Sequence, residues 1–277
     1  MAPVSTDEAR DERDDAERPL PPSSDGGKGR KRAGSFVKET AILIGIALVL
    51  TVLIQTFLAK VYVIPSGSME QTLHGCAGCT DDRVLVDKVV YRFRDPSPGD
   101  VVVFRGPEAW THNDFTAEHS DNPVVQGLQW LGSLIGLAQV DERDFVKRVI
   151  AVGGQTVQCC DAQHRVLVDG KPLDEPYIYF IPGAKQQMDD FAPVKVPAGR
   201  LFVMGDSRQN SNDSRFQGGG GVNGTIAITD VIGKARLIVL PPGRFGFISD
   251  HDPQVAAGGL VLLWWRRRDW ANSLLPV

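Results

Sequence analysis

Apolar and polar positions divide the chain into three stretches. Through residue 35 large apolar side chains are almost missing, and Pro19, Pro21 and Pro22 stand among glycines, serines and charges of both signs. Such a segment buries too little surface to offset the entropy of ordering it, so residues 1–35 read as a disordered cytoplasmic tail. Residues 41–59 then run AILIGIALVLTVLIQTFLA, with Thr51, Gln55 and Thr56 as the polar positions and no charge. At about 1.5 Å rise per residue this run reaches about 28 Å as a helix, close to the roughly 30 Å of a bilayer core. Its all-round apolarity predicts a membrane span rather than a surface helix. The run exceeds the usual roughly 7–15 apolar residues of a secretory signal, and no A-x-A site follows, so residues 36–60 read as a retained anchor.

Beyond residue 60 the pattern shortens. RVLVDKVVYRF, DVVVF, DFVKRVIAV, QTVQCC, RVLVDG, LFVMGD and ARLIVL are valine-rich runs separated by Gly, Pro or Asp, which predicts strands. Residues 124–138 instead place Val124, Leu128, Leu131, Leu134 and Ile135 on one helical face. The expected architecture is a mainly β domain over residues 61–254, mostly antiparallel, with a helical insertion near residues 124–138. The chain closes on residues 255–277, an apolar run to Trp265 followed by Arg266, Arg267 and Arg268. That run is too short to span and suits an interfacial contact or a buried terminal segment.

Charge adds direction. The 277 residues carry 30 Lys and Arg against 34 Asp and Glu, a net charge of −4, which gives no reason to expect nucleic-acid binding. Lys28, Arg30, Lys31 and Arg32 precede the apolar run, and Lys60 alone stands at its immediate exit. The positive-inside rule then places the N-terminus in the cytoplasm and the body outside, as a single-pass protein of the plasma membrane. Cys76, Cys79, Cys159 and Cys160 would lie where oxidation is allowed, and three complete pairings are open to them. Adjacent cysteines suit a closed tetrahedral zinc site poorly, so no metal is expected.

Three elements carry candidate chemistry. PSGSMEQTL places Ser68 between Gly67 and Met69, with the hydroxyl of Ser66 nearby. A serine nucleophile needs a base and oxyanion donors. The five histidines lie in unrelated, mostly polar contexts, and neither H-E-x-x-H nor G-x-S-x-G occurs. Lys147 is the alternative base. It sits in a strand built from Phe145, Val146, Val149 and Ile150, and apolar surroundings lower a lysine pKa. FVMGDSRQNSNDSRF adds a glycine turn and a loop dense in Asp, Asn, Ser and Arg, able to orient the lysine and brace the site. Taken singly, these are a turn serine, an edge-strand lysine that discourages aggregation, and a solvated loop.

Together they resemble the bacterial type I signal peptidases, over roughly residues 40–106, 143–170 and 200–240 and in that family's block order. The resemblance implies Ser68 as nucleophile and Lys147 as general base, with the Ser66 hydroxyl and the Ser68 N–H forming the oxyanion hole. Ser211 is implied to position the lysine, Asp213 and Arg215 to form a structural pair, and Arg148 to support the dyad. Ile64, Pro65, Met69, Leu73, Phe145 and Val146 fall where that family builds shallow apolar pockets, with Tyr62 and Asp144 beside the second pocket. The implied fold is an antiparallel β catalytic domain tethered by one N-terminal transmembrane helix. The implied activity is a membrane-bound serine endopeptidase that removes N-terminal signal peptides after small residues, with no cofactor. Its implied partners are exported preproteins and the lipid bilayer, with the protein translocation machinery alongside.

Gln209 and Ser207 stand where that family's GDxRDNS block usually has Asp and Asn, and AVGGQTV replaces a GLPGD-like turn. A lysine rather than a histidine base favours the prokaryotic branch, and GCAGC with VQCC suggests an actinobacterial variant. Two other readings are a self-cleaving Ser–Lys repressor, which the anchor argues against, and a non-catalytic tethered assembly or binding protein that keeps the fold.

Overall fold

The computed structural model describes residues 29–75, 81–111 and 143–255, with side chains from residue 36 onward. Cys76, Cys79, the expected insertion at 124–138 and nearly all of the 255–277 tail lie outside the described residues. So does most of the expected tail at 1–35. Contacts divide the chain after Leu48. Of the N-terminal unit, only its share of the helix α1 (Gly29–Phe57) is described. Phe36–Phe57 is long and apolar enough to cross a membrane, and this window is not buried.

The C-terminal unit is mainly antiparallel β. Its larger sheet contains β1 (Ala59–Val63), β2 (Arg83–Asp87), β3 (Val101–Arg105) and β4 (Asp144–Val152). A smaller sheet follows in the chain, made of β5 (Thr156–Cys159), β6 (Val166–Val168), β7 (Lys171–Pro172) and β8 (Phe191–Lys195). The chain then rejoins the larger sheet through β9 (Arg200–Met204), β10 (Ile226–Ala227), β11 (Val231–Leu240) and β12 (Gly246–Phe247). The larger sheet is ordered β1-β2-β11-β3-β4-β9-β10, with β12 on β11; the smaller is ordered β7-β6-β5-β8.

Local chemistry sets several boundaries. RVLVDKVVYRF reads as one run, yet β2 stops at Asp87. The Asp87 carboxylate accepts the N–H groups of Val89 and Val90 at 2.9 and 3.1 Å and opens a 3-10 turn instead. The helix ends at Phe57, so Ala59 and Lys60, read with the anchor in sequence, begin β1. β8 escaped the pattern because Pro193 and Lys195 interrupt it.

Three apolar clusters hold the sheets. One joins Tyr62, Ile64, Met69 and Leu73 to Val84, Val86, Val101 and Val103. A second packs Phe104, Trp110, Phe145, Val149 and Val203 around Val102. The third fastens the smaller sheet to Ile150, Phe202 and Met204. Cys159 and Cys160 form a disulfide.

Candidate active site

Ser68 lies in a 3-10 turn, Gly67–Met69, immediately after the extended Ser66. Apolar burial fixes this turn, since Met69 and Leu73 are within the first cluster. A second anchor is the backbone of the Gly205–Ser211 loop: Ser207 N–H donates to the Ser68 carbonyl at 3.1 Å. Gly205 permits that approach, because a Cβ there would collide with the Ser68 carbonyl and the Ser211 side chain.

Lys147 comes from the middle of β4. Its pairing partner on β3 is Val102, and alternation puts it on the same face as Phe145 and Val149. Val146 faces the first cluster instead. Lys147 is 4% exposed and Ser68 is 7% exposed. Lys147 Nζ lies 2.7 Å from Ser68 Oγ, and Ser66 Oγ lies 3.2 Å from the same oxygen. No carboxylate hydrogen-bonds the amine among the described residues. Burial lowers the Lys147 pKa to about 8; the charge of Asp213 opposes this, Arg215 reinforces it, and Asp206 opposes it.

The neighbouring charges are held in closed pairs. Asp213 takes Arg215 Nε at 2.8 Å, the Gly205 N–H at 2.9 Å and the Ser211 hydroxyl at 2.7 Å. Burial would push the Asp213 carboxyl up, but the Arg215 charge and these hydrogen bonds prevail and hold it below the ordinary range. The Ser211 hydroxyl thus ends on Asp213, whose charge acts on Lys147. Arg148 donates to both oxygens of Asp206, at 2.9 and 2.7 Å, on the opposite side of β4 from Lys147. Thr72 Oγ1 adds a 2.6 Å bond to Asp206, tying the serine segment to the same carboxylate.

Of the expected pocket residues, Tyr62, Ile64, Met69 and Leu73 are buried together, and Phe145 lies in the second cluster. Pro65 and Val146 remain half-buried, and Asp144 is buried. Sequence reasoning assigned no role to Asp206 or Thr72. Asp206 had a signal, its place in the GDSR turn; Thr72 had none beyond proximity to Ser68.

Comparison with known proteins matches residues 37–240 to the family described as signal peptidase, peptidase S26. The chain is 47% identical over 234 residues to signal peptidase I of Mycobacterium tuberculosis (strain CDC 1551 / Oshkosh), covering 79% of this chain and 78% of that one. It is 44% identical over 246 residues to a probable signal peptidase I of Mycobacterium leprae (strain TN), covering 82% and 84%. A probable signal peptidase I-1 of Synechocystis sp. (strain ATCC 27184 / PCC 6803 / Kazusa) is 37% identical over 211 residues, covering 76% and 86%. The mycobacterial relatives agree with the actinobacterial reading of the sequence.

Proposed function

The chain belongs to the signal peptidase family, peptidase S26, and on that premise we propose that Ser68 and Lys147 are the nucleophile and base with which it removes signal peptides from exported preproteins. The observation that carries this reading is the 2.7 Å contact between Lys147 Nζ and Ser68 Oγ, made in a buried setting that favours the neutral amine. A non-catalytic tether would have no use for such a lysine.

Neutral Lys147 takes the Ser68 proton as Oγ attacks the carbonyl carbon of the scissile bond. The resulting oxyanion is met by the Ser68 N–H and the Ser66 hydroxyl. The protonated lysine gives its proton to the leaving amine, and the acyl-enzyme forms on Ser68. Neutral again, Lys147 activates water for deacylation and the serine is restored. An extended substrate adds beside the Ser66–Ser68 segment and β4 through main-chain hydrogen bonds. Tyr62, Ile64, Pro65, Met69, Leu73, Asp144, Phe145 and Val146 surround small P1 and P3 side chains.

The anchor keeps the enzyme on the lipid bilayer, with the basic residues before it in the cytoplasm and the body outside, beside the translocation machinery. Cleavage of a preprotein ending in an A-x-A site, in detergent, tests the chemistry: wild type should cleave after the alanine and Ser68→Ala should not. Cleavage by Ser68→Ala at the same rate would remove the dyad.

A further inference from the structure

The smaller sheet leaves an unexplained contact with the site. After β7 the chain runs through Glu175, Tyr177 and Tyr179 before it reaches β8. Tyr179 N–H donates to the Asp206 carbonyl at 2.9 Å, and Arg208 N–H donates to the Tyr179 carbonyl at 3.3 Å. Tyr179 and Ser207 thus form a short parallel bridge. Residues 206–208 are gripped on one side by Tyr179 and on the other by the Ser68 carbonyl, through Ser207 N–H.

Side chains repeat the grip. The Arg148 guanidinium lies 3.9 Å from the centre of the Tyr177 ring, while its nitrogens hold Asp206 and the carbonyls of Gly99 and Ser249. The Tyr177 hydroxyl donates to Glu175 at 3.0 Å, and Arg208 donates to both Glu175 oxygens at 3.0 and 2.5 Å. Arg208 also reaches the Gly205 carbonyl at 3.1 Å. Burial first, then the Glu175 charge, pushes the Tyr177 phenol well above its ordinary pKa, so the hydroxyl stays a donor.

We infer that Tyr177 is a positioning residue for the Ser–Lys pair, acting from the segment between β7 and β8 through Arg148 and Asp206. The inference rests on the dyad reading above. The tyrosine ring covers a face of the guanidinium, where its in-plane N–H groups make no hydrogen bond. Arg148 so seated holds Asp206. Asp206 in turn receives Thr72 from the serine segment and carries Ser207, the neighbour that bonds Ser68. Loosening the first contact therefore shifts Ser68 relative to Lys147, while Met69 and Leu73 stay packed in the first cluster. It also leaves the Asp206 charge less well matched, and that charge favours protonated Lys147.

The test is steady-state cleavage of one preprotein by the full chain in detergent, between pH 6 and 11. Tyr177→Leu is expected to lose about 10–100-fold in kcat, the scale of a misplaced reacting group, with KM within about twofold. Its acidic limb should move to higher pH. Tyr177→Phe, which keeps the ring face, should recover most of the rate. Tyr177→Met fills similar space without a ring and serves if the leucine variant does not fold; failure of both to fold would make Tyr177 a purely structural residue and overturn the inference. So would a Tyr177→Leu enzyme with wild-type kcat and limb, or one altered in KM alone. Ser68→Ala, run in the same series, separates the two readings. Activity surviving there overturns the dyad and this role together; an inactive Ser68→Ala beside a wild-type-like Tyr177→Leu overturns the positioning role alone.

Discussion

Two lysines are buried in the larger sheet, and they have opposite surroundings. Lys147 on β4 and Lys234 on β11 both pair with Val102, one from each side. They are 4% and 2% exposed. Lys147 meets a hydroxyl. Lys234 meets two carboxylates, Asp100 at 2.6 Å and Asp250 at 2.8 Å. Asp100 also takes Arg94 and the Tyr91 hydroxyl. Burial pushes Asp100 up, yet hydrogen bonds from Arg94, Lys234 and the Ser97 N–H outweigh it and keep the carboxyl below its ordinary range. Burial by itself therefore does not make a base. A buried ammonium with a carboxylate beside it is a structural ion pair; one that has only a hydroxyl gives up its proton within reach of neutral pH.

The sharpest break of this comparison exchanges each lysine for methionine. Lys147→Met should lose about 10²–10⁴-fold in kcat/KM, the usual contribution of a general base, while its melting temperature stays at or above wild type. Lys147→Arg should be equally inactive, since a guanidinium keeps its proton. An active Lys147→Met would end the assignment. Lys234→Met should do the reverse. Breaking a buried pair costs about 3–5 kcal/mol, here at the low end because Arg94 still faces Asp100. Denaturant titration should show that loss, with activity per folded molecule retained; an unchanged midpoint would mean Lys234 is not a structural pair.

The pH profile sharpens the contrast further. With Lys147 at about 8, kcat/KM should fall about tenfold per unit as pH drops below that value. A limb at the ordinary lysine pKa would show that the amine is not desolvated in solution. The smallest effect is on stability. The folded-state pKa of Lys147, about 8, lies below its ordinary 10.5, so between those values the unfolded chain binds the extra proton and wild-type stability rises with pH. Lys147→Met should therefore be more stable than wild type at pH 7, and its lead should shrink as pH climbs from about 8 to 10.5. A pH-independent difference between the two would contradict the linkage.

The same two lysines show what a sequence discloses. FVKRVIAV and GKARLIVL are both a lysine beside an apolar run, and local pattern cannot say which amine has a carboxylate beside it. The deciding partner of Lys234 is 134 positions away. Lys147 could be singled out only through its block's likeness to a family. β4 itself was legible to the residue, because nine consecutive positions carry one strand pattern. β1 was not, since KVYV continues the apolarity of the anchor. The order β2-β11-β3 was not legible either, because strand neighbours distant in the chain leave no local mark. The role expected of Ser211 rests on the resemblance alone, and no local pattern marks the bond from its hydroxyl to Asp213.

β3 and β4 stay in register over five residue pairs, from Val101 with Arg148 to Arg105 with Asp144, although the two strands are far apart in sequence. Gly106 N–H donates to the Arg143 carbonyl at 2.7 Å and closes the connection at its base. Closure entropy grows only with the logarithm of loop length, so the ladder tolerates very different lengths there at little thermodynamic cost. The strand that carries Lys147 is thereby insulated from the length of the connection before it. A change in the length of the connection should therefore cost little stability while the β3–β4 ladder holds Lys147 beside Ser68.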